Sequence, residues 1–157
     1  MTIYHGARAV WELERAEGIT VTELGHRTVM CEGYATEMYQ CTRPSGGVWT
    51  SGVGQTGEWI GKPFREAFEH HVKRAQSHIP DLLVFPGFLQ AELIQAEYRG
   101  DLGISPKACR LIRGGLWKEG AIEFLDHDEY QNPKTSQGIK DRIMAVHYAL
   151  MLRAMHG

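Results

Sequence analysis

The sequence predicts an α+β fold whose helical and strand parts are segregated along the chain. Three observations carry this. Two stretches before residue 33 repeat apolar residues at helical spacing. From Tyr34 to Thr56, aromatics, Val and Thr alternate with Gly, Pro and Ser, as short strands and tight turns do. After Lys62 the helical pattern returns and stays. The length, 157 residues, fits one domain. Within it, residues 1–18 read as an N-terminal helical extension, 34–57 as a small antiparallel β-hairpin lobe and 62–157 as a larger helical lobe. A cleft between sheet and helices is the expected seat of an extended ligand.

The first helix is ARAVWELERAEG, with Ala7, Val10, Trp11 and Leu13 on its expected buried face and Gly18 at its end. The next is VTELGHRTVMCEG, capped by Thr20 or Thr22 and closed by Gly33, with Val21, Leu24, Thr28 and Cys31 recurring. Gly25 is an unfavourable residue inside it. RPSGG is the tightest turn signal in the strand block. In the helical part, PFREAFEHHVKRAQ puts Phe64, Ala67, Phe68, Val72 and Ala75 on one face. FLQAELIQAEY supplies Leu89, Leu93, Ile94 and Ala96. SPKACRLIRGG starts with Ser105 as cap and Pro106 as first helical residue, and closes on Gly114. WKEGAIEFLDH is amphipathic, and SQGIKDRIMAVHYALMLRAM is long and apolar enough to be a central or closing helix.

Composition excludes several function classes. Hydrophobic residues make up 43% and charged residues 23%, with a formal net charge of -2, so no basic field argues for nucleic acid. No apolar run approaches the roughly 18 residues of a membrane span, and the opening MTIYHGARAVWELER is not a secretory signal. The three cysteines, Cys31, Cys41 and Cys109, cannot all pair within the chain, and no C-x-x-C spacing suggests zinc. The adjacent His70 and His71 point to different helix faces, and with His78 they find no acidic partner in sequence, so no metal is expected. No cofactor is expected either. The R-G-D at Arg99–Asp101 reads as a turn between helices, and Glu17, in an earlier E-G pair, as surface or helix end.

The chemistry concentrates in CEGYATEMYQCTRPSGGVWTSGVGQTG, residues 31–57. Glu32 ends a predicted helix, while Cys41 and Thr50 sit on the strands that follow, so a carboxyl, a thiol and a hydroxyl can meet near one point. Cleaving a glycosidic bond needs an acid for the leaving oxygen and a group on the other face to activate or position water. A Glu shielded by Met30, Tyr34 and Tyr39 would keep its proton.

The E-G pair, the Y-x-C and the GGVWTSGVGQTG that follow resemble the active-site hairpin of the phage-type lysozymes, glycoside hydrolase family 24. Glu32 and Gly33 match that family's E-G, Tyr39 its aromatic, Thr50 its third catalytic residue, and Gly52 and Gly54 the two glycines after it. Cys41 falls where the family usually has Asp, and Gln55 where it often has His. Weaker similarity runs through SPKACRLIRGGLWKEGAIEFLDH and GIKDRIMAVHYALML, so that it covers about residues 20–155. The loop from Cys41 to Thr50 looks about three residues longer, around R-P-S, and EYRGDLG replaces the family's F-N-x-G stretch.

The resemblance implies a lysozyme-like fold and a muramidase that hydrolyses the MurNAc–GlcNAc bond of peptidoglycan. Glu32 would be the acid, Cys41 and Thr50 would handle water, and Tyr39, Gly52, Gly54 and Gln55 would bind substrate. Arg142 of the last helix is expected to orient Glu32. Arg43, two residues from Cys41, would lower the thiol pKa if aimed at the sulfur. A monomer is expected, stored in the bacterial host cytoplasm and acting on the wall from the periplasm; virion association or export by a non-signal route are the alternatives. Two other readings stand beside hydrolysis: a non-catalytic glycan-binding or virion structural protein that has lost its Asp, and a lytic transglycosylase.

Overall fold

The computed structural model describes residues 1–41 and 47–156. Arg43 and most of the R-P-S-G-G turn lie outside the described residues. The chain divides into two units, residues 1–70 and 71–157, with the boundary inside helix α3 (Phe64–His78).

The first unit holds β1 (Ile3–Tyr4), α1 (Gly6–Glu17), α2 (Glu23–Glu32), β2 (Tyr34–Cys41) and β3 (Val48–Gly52). The strands form one antiparallel sheet in the order β1-β2-β3. β1 was not expected; it precedes the helix within residues 1–18, read as an N-terminal helical extension. Two residues are too short for a periodic signal, and their pairing partners, Ala35 and Tyr34, lie some thirty residues away. The Thr2 carbonyl accepts from the Thr36 N–H at 3.0 Å and extends that pairing.

Helix α1 ends where Gly18 turns left-handed at φ 65° and donates to the Glu14 carbonyl. Its buried face is Ala9, Val10 and Leu13. Trp11 and Ala7, expected on that face, are exposed, Trp11 by 50%. At about 100° per residue both fall on the side opposite the arc from Ala9 through Leu13 to Val10. Gly25 is explained by packing: a Cβ there would stand 3.2 Å from Val21 Cγ1 and 3.5 Å from the Phe68 ring. The missing side chain lets Phe68 close on α2, so the helix accepts a cost of about 1 kcal/mol in propensity. Glu17 is a helix-end residue tied to α3, its Oε1 accepting the Phe64 N–H at 2.8 Å. Burial raises its carboxyl pKa, and that hydrogen bond pulls the other way.

The second unit is helical: the end of α3, then α4 (Gly87–Tyr98), α5 (Pro106–Arg113), α6 (Trp117–Phe124), the short α7 (Asp128–Gln131) and α8 (Gln137–His156). α8 packs on α4 and α6, and α5 on α6. The expected α4 positions Leu89, Leu93, Ile94 and Ala96 are all fully buried, beside Ile112, Phe124, Ile143, Val146 and Leu150. Pro106 opens α5 as expected, while Ser105 occupies the cap position without a side-chain hydrogen bond. α7 was not expected; four residues carry no periodic pattern, and it depends on the His127 ring accepting from the Glu129 N–H. Among the described residues, no helix is long and apolar enough to cross a membrane.

Candidate active site

Glu32 is the last residue of α2, and the chain must turn at once into β2. Gly33 makes that turn at φ 79°, donating to the Val29 carbonyl at 2.8 Å. A Cβ on Gly33 would also stand 2.9 Å from the Tyr4 carbonyl oxygen, so a glycine is needed for β1 to run past the helix end. The E-G pair therefore holds a half-buried carboxylate at the point where helix gives way to sheet.

The hairpin brings the other groups to one face. Tyr39 pairs directly with Thr50, and Cys41 with Val48. Side chains two apart on a strand share a face, so Tyr39, Cys41, Val48 and Thr50 stand together. The register is irregular between Ala35 and Tyr39, which separates this outer end of the hairpin from the Ala35–Gly52 pair. Thr50 is 6% exposed, and its hydroxyl donates to the Val48 carbonyl at 3.2 Å. That geometry spends the hydrogen and leaves oxygen lone pairs to accept. Burial raises the pKa of the Tyr39 hydroxyl, and the negative charges of Cys41 and Glu32 push it the same way. Thiol and carboxyl are thus both within electrostatic reach of the Tyr39 oxygen.

β3 ends in a tight turn closed by Ser51 and Gln55, whose N–H and C=O groups exchange two hydrogen bonds of 2.9 Å. Gly52 and Gly54 take φ 51° and 58° within it. Gly54 meets the acid: a Cβ there would lie 2.5 Å from Glu32 Oε2 and 3.1 Å from its Cδ. The glycine leaves the space that the carboxylate fills. This close approach ties the end of α2 to the hairpin turn.

Gln55, expected among the substrate-binding residues, is turned inward and is 3% exposed. Its Nε2 donates to the carbonyls of Trp59 and Lys62 at 3.0 and 2.7 Å, and its Oε1 accepts from the Val53 N–H at 3.3 Å. The amide braces the turn that carries Gly52 and Gly54. Arg142 donates from Nε to Gln95 Oε1 at 3.0 Å and from Nη2 to the Gln95 carbonyl, clamping α8 to α4. All three cysteines are thiols; Cys31 and Cys41 are half-buried, while Cys109 is buried and donates to the Leu102 carbonyl.

Two clusters in the second unit escaped the sequence reading. His71 and His78 do have an acidic neighbour, the buried Glu97, at 4.0 and 3.7 Å from its two different oxygens, with Arg74 at 3.2 Å. Asp101, His127 and Glu129 bring their ligand atoms within 4.8 Å of one another. Their hydrogen bonds describe an internal ion network instead. The Glu129 N–H donates to His127 Nδ1, so the ring proton sits on Nε2 and is given to Asp101 Oδ1 at 3.0 Å. Arg99 fills the cationic position, 2.8 Å from Glu129 Oε1 and 3.5 Å from Asp101 Oδ2. The R-G-D is accordingly a turn whose aspartate is only 2% exposed.

No known protein family matches the chain, and no curated protein does. Among solved structures, it is similar to the active form of the P1 phage endolysin Lyz, with a TM-score of 0.65 and 15% identity over 97% of this chain and 96% of that one. At that identity the likeness concerns architecture: the chain has the lysozyme-like α+β fold of that endolysin, a small antiparallel sheet beside a helical majority.

Proposed function

We propose that this protein is a peptidoglycan-degrading hydrolase of the phage-lysozyme kind, cutting the MurNAc–GlcNAc bond. The observation that carries the reading is the approach of Gly54 to the Glu32 carboxylate, beside Tyr39, Cys41 and Thr50 on one sheet face. The fold it shares with a phage endolysin supports the same reading. In this proposal Glu32 gives its proton to the glycosidic oxygen as the C1–O bond breaks. A water held by the Cys41 sulfur and the Thr50 oxygen adds to the anomeric carbon and releases its own proton to solvent. Thr50 suits that task because its hydroxyl hydrogen is already committed to Val48. Tyr39 lines the substrate side, and Gly52 and Gly54 let the glycan approach the backbone. The working partner is the bacterial wall, the working form a monomeric single domain, and the site of action the periplasm after release from the cytoplasm.

The decisive measurement is lysis of purified peptidoglycan by Glu32→Gln, with its fold checked by circular dichroism. We expect folding to be kept and lysis to fall by roughly 10²-fold or more, the usual worth of a positioned acid. Lysis at the parental rate would falsify the acid assignment. One observation favours a second reading, a non-catalytic glycan-binding protein: a thiol stands where a carboxylate is usual. Under reducing conditions, glycan binding by the parent protein without any clearing of chloroform-treated Gram-negative cells selects that reading.

A further inference from the structure

We propose that the outer face of α1 is a docking surface for an anionic phospholipid bilayer. Trp11 is half exposed on the side of α1 opposite its buried residues. The Arg8 guanidinium lies 5.2 Å from the Trp11 ring centre and that of Arg15 lies 5.1 Å from it. Arg8 also lies over Tyr4, at 5.4 Å. Positions 8, 11 and 15 of α1 follow helical spacing, and Tyr4, the last residue of β1, joins their stripe through its contact with Arg8. Like charges are held here on a shared aromatic, and both arginines are exposed.

Two of the three acids of the same helix are drawn the other way. Glu14 Oε2 accepts the Val21 N–H at 2.8 Å, and Glu17 Oε1 accepts the Phe64 N–H at 2.8 Å. Glu12 pairs with Arg8 at 2.8 Å, and its side chain is only 13% exposed. The solvent face therefore presents two guanidinium groups and aromatic rings against one carboxylate, Glu12, while Glu14 and Glu17 are spent inward. A chain of net charge -2 thus carries one locally basic, aromatic stripe.

The placement of the rings selects the occupant. A sugar needs an open aromatic face to stack on, and Arg8 and Arg15 reach the Trp11 ring from the turns before and after it. The exposed indole is thus shared with two guanidinium groups that compete with such stacking. That arrangement suits a membrane interface, where indole sits at headgroup depth and arginine reaches lipid phosphate. The attachment is shallow and reversible, since a single Trp and two Arg fall well short of an anchor.

The test is co-sedimentation of the full chain with phosphatidylcholine vesicles, with and without phosphatidylglycerol, at low and high salt. Soluble polyglycerol phosphate serves as competitor. The protein should bind the phosphatidylglycerol vesicles, release them at high salt, and ignore pure phosphatidylcholine. Arg15→Gln, an exposed position that puts the fold at little risk, should weaken binding roughly fivefold, the effect of one basic side chain near an anionic surface. Trp11→Ala should weaken it further, at an unchanged circular dichroism spectrum. Equal binding to both vesicle types, or binding indifferent to both substitutions, overturns the proposal. So does polyglycerol phosphate displacing the vesicles completely at equal phosphate, which would make soluble phosphate polymer the ligand.

Discussion

Replacing Gly54 with alanine separates the chemistry of Glu32 from the stability of the turn. The new methyl carbon would stand 2.5 Å from Glu32 Oε2. To restore an ordinary contact of 3.4 Å, the carboxyl must retreat by about 0.9 Å. The obstructing atom is the far end of a flexible side chain, so this retreat costs little folding energy. The backbone costs more: alanine at φ 58° carries about 1–2 kcal/mol of left-handed strain. For a chain of this size that lowers Tm by about 2–8 °C. Gly57 is the control, because its φ is 57° and a Cβ there meets nothing within 4 Å. Both variants should lose similar stability in a thermal melt. Only Gly54→Ala should also lose lysis of purified peptidoglycan, by roughly 10²-fold, the consequence of moving a catalytic group by about 1 Å. If Gly54→Ala clears peptidoglycan as fast as Gly57→Ala, the Glu32 carboxyl does not act where the proposal puts it.

Two further outcomes concern the thiols. Cys41→Asp should keep or raise lytic activity, since a carboxylate holds water at least as well as a thiol. Cys41→Ala should lower it by roughly 10²-fold, and an inactive Cys41→Asp beside an active parent protein would point to chemistry specific to sulfur. Burial raises the Cys109 pKa to about 11, so alkylation of the native protein at pH 8 should stop at Cys31 and Cys41, as read by intact mass. The same burial makes stability fall as pH rises above about 9. There the unfolded thiol loses its proton while the folded one keeps it. A melting temperature that rises between pH 9 and about 11 in step with Cys109 titration would contradict this.

Much of the molecule is legible in local patterns. The period of Leu89, Leu93, Ile94 and Ala96 identifies α4 and its buried face, and Gly18 and Gly33 mark the ends of α1 and α2, because helical spacing and left-handed caps are properties of neighbouring residues. The same holds for the order of Glu32, Tyr39, Cys41, Thr50 and Gly54, which the hairpin motif carries in its spacing. Other features depend on residues far apart in the chain, and no local period encodes them. β1 exists only because Ala35 and Tyr34 offer it an edge. Gln55, polar and beside the site in sequence, turned inward because the Trp59 and Lys62 carbonyls needed donors. Trp11 turned outward because Ala9, Val10 and Leu13 already filled the inner face of α1. Spacing alone put Glu32 near a glycine-rich turn; the packing of α2 against that turn decided that Gly54 is the residue the carboxylate meets, because only folding brings their atoms within contact.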